Sequence, residues 1–366
     1  MSTTLITSKR TRWLPATVIG AGAALVVALI VAAFLWPTVT SSVKNLPVGV
    51  VGDAAAVAGV DAGLHQNAAG VFSTLAQDSR DEAIASVQRR ETYGAIIAGP
   101  SPEVLVAGAA SPSVSAILRQ VAETLQQQTA ARVAAAGGDA SSVSVVVTDV
   151  VPLVEADPNG SALAAVGFPL TLGGIAGGVL ISLLVTGVGR RLVALAMFTV
   201  VSAGAIAFLT HTWFGILPAP DGTFSLAAAI AVSLLGTASF VVGANAVLRT
   251  AGIAVGASLT MLVANPISAA TVPVQYLVEP WGVIGQFFVP GAAATLVRDL
   301  AYFPAADATR PWLVLIAWAA LGVVLSALGH FRNREVVHLE AIEEDAPLTP
   351  RPRASVSSTR SAAPTV

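Results

Sequence analysis

No cysteine occurs in the 366 residues, and only 11% of them are charged. The first absence removes thiol catalysis, thiolate metal sites and any disulfide scaffold. The second bears on environment: a water-facing globular chain carries roughly 25% charged residues, so this one lacks the polar surface to coat a body of its size. Lysine is scarce too, and neither Lys9 nor Lys44 lies in a G-x-x-x-x-G-K-S/T loop, so no P-loop is available to hydrolyse a nucleotide. His65, His211, His330 and His338 are scattered and form no H-E-x-x-H or similar metal pair, and there is no G-x-S-x-G elbow. With 19 basic against 21 acidic residues, the chain has no electrostatic footprint for nucleic acid. These absences argue against an enzyme, a bound cofactor or metal, and a nucleic-acid partner.

What is present is apolar: 55% of residues are hydrophobic and the mean hydropathy is +0.77. The gaps between charges give the architecture. Leu14 to Leu35 is charge-free and as a helix rises about 33 Å, which matches a hydrocarbon core of about 30 Å. Its apolar run is longer than the roughly 7–15 residues of a signal-peptide core, so it reads as an uncleaved first span over 14–36 that stops at Trp36-Pro37. Further charge-free stretches lie at Leu163–Thr186, Leu192–Leu209, Ser225–Val247, Ala251–Ala270 and Trp312–Gly329. The expected fold is therefore an α-helical polytopic membrane protein with six transmembrane helices: helix 1, helices 2–5 within 161–270, and helix 6 at 311–330.

Charge sets the orientation. Arg190 and Arg191 lie between spans two and three, Arg249 between four and five, and Arg332 and Arg334 after six. With six spans all of them fall on the side of Lys9, Arg10 and Arg12, which the positive-inside rule makes cytoplasmic. The expectation is a multi-pass protein of the cytoplasmic membrane with both termini inside, an N-terminus over 1–13 and a tail over 331–366. The tail has helical promise only to about Glu344 and is Pro-, Ser- and Arg-rich beyond it, a composition expected to be disordered.

Residues 41–160 would then lie outside as an inserted α/β domain with six basic and twelve acidic residues. Pro47–Gly52, Tyr93–Ala98 and Val143–Val151 carry strand signals. Helical spacing links Leu64, Ala68, Val71, Phe72 and Leu75, then Ala83, Ile84 and Val87, and then Val114, Ile117, Leu118, Val121 and Leu125 after Pro112.

The spans contain no Asp, Glu, Lys or Arg. Proton- and sodium-driven transporters place a carboxylate at membrane depth, so the absence disfavours ion coupling. Polar groups do occur there, namely Asn245, Asn265, Ser182, Ser202, Ser233, Ser239, Ser258 and Thr260, and they read first as interhelical glue and second as substrate contacts. Gly173, Gly174, Gly177 and Gly178 form two interleaved G-x-x-x-G pairs, a close-packing face for another helix of this chain or for a second copy. The Pro-broken segment 271–310 reads as an outer re-entrant or interfacial element. Arg298 and Asp299 have two readings there: anchors of an interfacial helix to headgroups and to each other, or, with Glu279, the outer mouth of a pathway.

The stretch PGAAATLVRDLAYFPAADATRPWLVLIAWAALG resembles the end of permeases of the type-2 ABC exporter group, in particular the branch containing the phage-infection protein. Pro290, Gly291, Arg298, Tyr302, Phe303 and Trp318 carry that resemblance, with Asn265 to Ser268 and Asp157 to Gly160 upstream. The order of one span, an outer domain and five spans matches as well, so the resemblance extends to about Gly329. It implies a permease subunit that works as a homodimer in the lipid bilayer and exports a lipophilic or envelope-related substrate with a separate ATPase subunit. One departure is visible. Such permeases dock the ATPase through a cytoplasmic coupling helix, whereas Gly187–Arg191 and Leu248–Thr250 are only a few residues long. A different class of function, a non-transporting envelope receptor or scaffold acting through its outer domain, fits the same layout.

Overall fold

The computed structural model describes residues 13–99 and 101–344, with backbone only at 163–164 and 333–344. The N-terminal basic cluster and the tail beyond Glu344 lie outside the described residues.

Helix α1 (Trp13–Thr40) is apolar throughout and has no residue buried by the rest of the chain. It continues four residues past the expected stop at Trp36, with Pro37 inside it, and ends where the Ser41 N–H donates to the Pro37 carbonyl at 2.9 Å. Proline removes a donor without removing its own carbonyl, so the last turn still closes. Trp36 meets Trp281 edge-on at 5.8 Å between ring centroids.

The inserted domain follows. Strands β1 (Leu46–Val51), β2 (Phe72–Gln77), β3 (Gly94–Ile97), β4 (Glu103–Val106) and β5 (Val146–Asp149) form one mixed sheet in the order β2-β1-β3-β4-β5. All pairs are parallel except β3 with β4. Helices α2 (Ala54–Asn67), α3 (Arg80–Gln88) and α4 (Pro112–Ala135) start on side-chain caps: Asp53 accepts from the Ala56 N–H, Ser79 from Glu82 and Ser111 from Val114. Leu46, Val48, Val104 and Leu118 are fully buried in the domain core, each contributing on the order of 2 kcal/mol by area.

The expectation of one helical run from Leu64 to Leu75 is corrected. The helix ends at Asn67, Gly70 turns the chain at φ +73°, and Phe72 to Gln77 is strand β2. Local spacing mimicked a helix, but pairing along the whole of β1 decided the conformation. β4 is a further strand that the sequence pattern did not single out.

Among the described residues, five helices are long and apolar enough to cross a membrane: α1, the Ala165–Leu184 part of α5 (Ser161–Leu184), α6 (Val188–Ala207) with a π turn to Trp213, α7 (Thr223–Leu248), and the Thr309–Arg332 part of α11 (Thr309–Glu344). The chain is a polytopic α-helical membrane protein with a soluble α/β domain inserted after its first transmembrane helix. The expected span Ala251–Ala270 is shorter than the pattern implied: α8 (Thr250–Ser258) continues as a π turn only to Ala264, about 22 Å of rise. Asn265 keeps helical angles, but Pro266 has no N–H to continue the ladder, and the Asn265 carbonyl accepts from the Ser268 N–H and hydroxyl in a turn.

α7 is the hub of the bundle, packed against α5, α6, α8 and α11. Two arginines close the ends of neighbouring helices. Arg191 donates to the Val185 and Ser182 carbonyls at the end of α5, and Arg332 donates to Val247 at the end of α7.

Between α8 and α11 lie α9 (Trp281–Gly285) and α10 (Val289–Tyr302). α10 runs antiparallel to α7. Its first residue, Val289, packs beside Gly236 in the middle of α7, while the Tyr302 hydroxyl donates to Ile216 in the link that precedes α7. Non-helical backbone this deep in a bundle needs protein partners. Gln286 supplies one by donating to the Ser268 carbonyl and accepting from Thr295, and the Trp318 indole donates to Phe287 at 2.8 Å.

Candidate functional site

The inserted domain is seated on the bundle, and α10 is the seat. Arg90 follows α3 in the left-handed region at φ +60°, where the chain reverses, and this points its guanidinium out of the domain. It forms an ion pair with Asp299 of α10 and lies over the Phe303 ring at 5.5 Å. Three more contacts surround the pair. The Tyr93 hydroxyl donates to Gln275 at 2.9 Å, the Ser113 and Tyr276 hydroxyls share a bond, and the Ser42 N–H donates to the Tyr276 carbonyl. Burial pushes the Tyr93 phenol above its ordinary range.

Apolar packing is continuous across the junction. Val87, Ala107, Ala109 and Ala110 of the domain share one core with Leu217, Leu226, Ile230 and Phe303. A second core joins Tyr276 to Leu46, Val48 and Leu118. The entry into α5 is fixed at the same place. Asp157 accepts from the Ser161 and Ala162 N–H groups, and Gly160 takes φ +67° in the space left by Pro112 and Leu153.

Under this junction a narrow cleft opens between α5, α7 and α10. Leu170, Val289, Ala293 and Val297 give it apolar walls, Thr171, Ser233 and Thr237 add hydroxyls, and Arg298 is the one charged residue on its lining. Arg298 donates to the Ala270 carbonyl at 3.0 Å, and its Nε is buried without a partner among the described residues.

The sequence candidates therefore separate. Arg298 and Asp299 are adjacent yet do not pair with each other: Asp299 turns to the inserted domain and Arg298 to the cleft. Glu279 is exposed on the link before α9. Asn245 is at the opposite end of α7, donating to the Arg249 carbonyl, and Asn265 sits in the turn after α8. Of the four glycines, Gly174 and Gly178 lie against Thr237, Ala238 and Val241 of α7, Gly177 lies under the Phe198 ring of α6, and Gly173 has nothing within 4 Å of a Cβ position.

Arg90, Gln275, Thr171 and Thr237 escaped the sequence reading. Nothing local distinguishes Arg90 from the other arginines of an acidic domain. The hydroxyls are single positions in apolar helices whose facing depends on packing. Compared with protein-family models, curated proteins and solved structures, the chain matches none.

Proposed function

We propose that this chain is the permease subunit of an ABC-type exporter of the cytoplasmic membrane, moving a lipophilic or envelope-related substrate with energy from a separate ATPase. Counting α8 with its turn as a sixth crossing, both termini are cytoplasmic, residues 41–160 are outside, and two copies work as a pair. The observation that carries the reading is the seating of the inserted domain on α10, a helix that reaches the middle of the bundle and forms one wall of an apolar cleft. A domain so placed couples events outside the bundle to a pathway within it. The membrane-crossing stretches carry Arg only at their ends, and no carboxylate in them could couple to protons or sodium, which leaves the energy to a partner. Arg190, Arg191 and Arg249, grouped at the linked ends of α5, α6, α7 and α8, support the orientation.

The test is purification of the full chain from its native membrane in a mild detergent, followed by identification of bound proteins and an ATP hydrolysis assay. An ATPase that co-purifies, and whose turnover falls on Asp299→Ala substitution, supports the reading. Folded protein with no associated ATPase sinks it in favour of a scaffold.

A further inference from the structure

Among the described residues Arg298 forms no ion pair of its own. The carboxylate beside it is committed to Arg90, so the cluster of Arg90, Arg298 and Asp299 holds two cations and one anion at a protein junction. A guanidinium does not discharge by deprotonation, and leaving one inside protein without an anion is expensive. Only Nη2 is used, on a neutral carbonyl, while Nε is buried and unpartnered among the described residues, and the residue lines the cleft. The hydroxyls nearby do not complete it. Thr171 and Ser233 donate to Gly167 and Ala229 within their own helices, and they project from the wall of an otherwise apolar cleft.

We propose that the cleft between α5, α7 and α10 binds a membrane-derived anionic amphiphile, its phosphodiester or carboxylate headgroup on Arg298 and its acyl chain along Leu170, Val289, Ala293 and Val297. The headgroup supplies the missing negative charge and an acceptor for Nε. The chain covers the apolar walls. As a substrate site this rests on the permease reading; as a binding site it stands by itself.

Full-length protein in a neutral detergent is mixed with equal amounts of dioleoyl phosphatidylglycerol and dioleoyl phosphatidylcholine, and the retained lipid is read by native mass spectrometry. The wild type is expected to retain the anionic lipid about tenfold over the zwitterionic one, the scale of one charge-assisted hydrogen bond. Arg298→Gln should bring the two to parity, Arg298→Lys should keep most of the preference, and Ala293→Phe, which fills the cleft, should abolish the selective retention. Oleate should compete for the site and inorganic phosphate should not.

Undiminished preference in Arg298→Gln, or undiminished retention in Ala293→Phe, overturns the site. Displacement of the lipid by phosphate alone overturns the amphiphile. If Arg298→Gln does not elute as a folded species, the Ala293→Phe variant and the competition experiment decide. Selective retention without a co-purifying ATPase keeps this site and removes the permease. A co-purifying ATPase with no lipid selectivity does the reverse.

Discussion

Arg90 and Asp299, 209 positions apart, form an ion pair with side chains only 19% and 5% exposed, and this pair joins the inserted domain to α10. Removing one partner of a buried pair strands the other without solvent, so Arg90→Ala should destabilise the junction by about 3–5 kcal/mol. The double substitution Arg90→Ala with Asp299→Asn should recover part of that loss. Thermal melting of the purified protein, together with hydrogen exchange over residues 272–277, measures both. Equal melting of Arg90→Ala and wild type would show that the apolar cores alone hold the domain in place.

The orientation makes a prediction that uses the absence of native cysteine. Single cysteines at Asp53 and Arg190 should react with a membrane-impermeant maleimide from opposite sides of intact cells and inverted vesicles. Labelling from one side would require a different number of crossings, with α8 the first helix to reconsider.

Close packing of α5 gives a contrast between neighbours. A methyl group at Gly178 would sit 2.8 Å from the Ala238 carbonyl oxygen, whereas one at Gly173 meets nothing. Gly178→Ala should lower stability by about 1–3 kcal/mol through overpacking, and Gly173→Ala should be neutral or raise it by up to about 1 kcal/mol. Melting temperatures of the two variants in the same detergent decide, and a large loss from Gly173→Ala would place a further chain against that face.

Arg249 links α7 to α8 with φ +57° and ψ −143°, a conformation suited to glycine. Arg249→Gly should relieve about 1–3 kcal/mol of backbone strain. Arg190, Arg191 and Arg332 remain to hold the proposed orientation, so resistance to heat should rise without any change in cysteine labelling. A lower melting temperature would assign the arginine a structural contact that outweighs the strain.

The inserted domain has its own pH dependence. Arg80 and Thr148 both donate to Glu103 and hold its carboxyl below its usual value of 4.5. A carboxylate whose value is depressed in the folded state contributes stability above the unfolded value and loses it as the pH falls through the folded one. Exchange protection of the β4 and β5 amides should therefore be flat from neutral pH to about 4.5 and decline below it. In Glu103→Gln the acid-dependent part of that decline should be reduced, and an identical profile would acquit Glu103.

Much of the layout was legible in the sequence because lipid imposes strong and simple rules. Apolar length and the placement of arginine reveal crossing helices, and short apolar runs bounded by turn residues revealed β1, β3 and β5. Where local and distant forces disagreed, the pattern misled. Phe72 and Leu75 were spaced like helix residues but were taken into β2 by pairing with Leu46 and Gly49. The candidate site was less legible. Arg298 could be noticed from its own neighbourhood, since charge is rare there. Its separation from Asp299 depends on Arg90, brought in from another domain by a left-handed turn that no periodicity encodes.

α10 is, mechanically, a stiff rod with its two ends in different places. Asp299 is tied to the inserted domain, and Val289, ten positions earlier and about 15 Å away along the axis, abuts the middle of α7. A tilt of about 10° imposed at the outer end swings the inner end by about 2–3 Å, enough to widen or shut a gap one methylene across. Whatever grips the inserted domain from outside thus has a lever on the interior, without any helix having to unfold or slide.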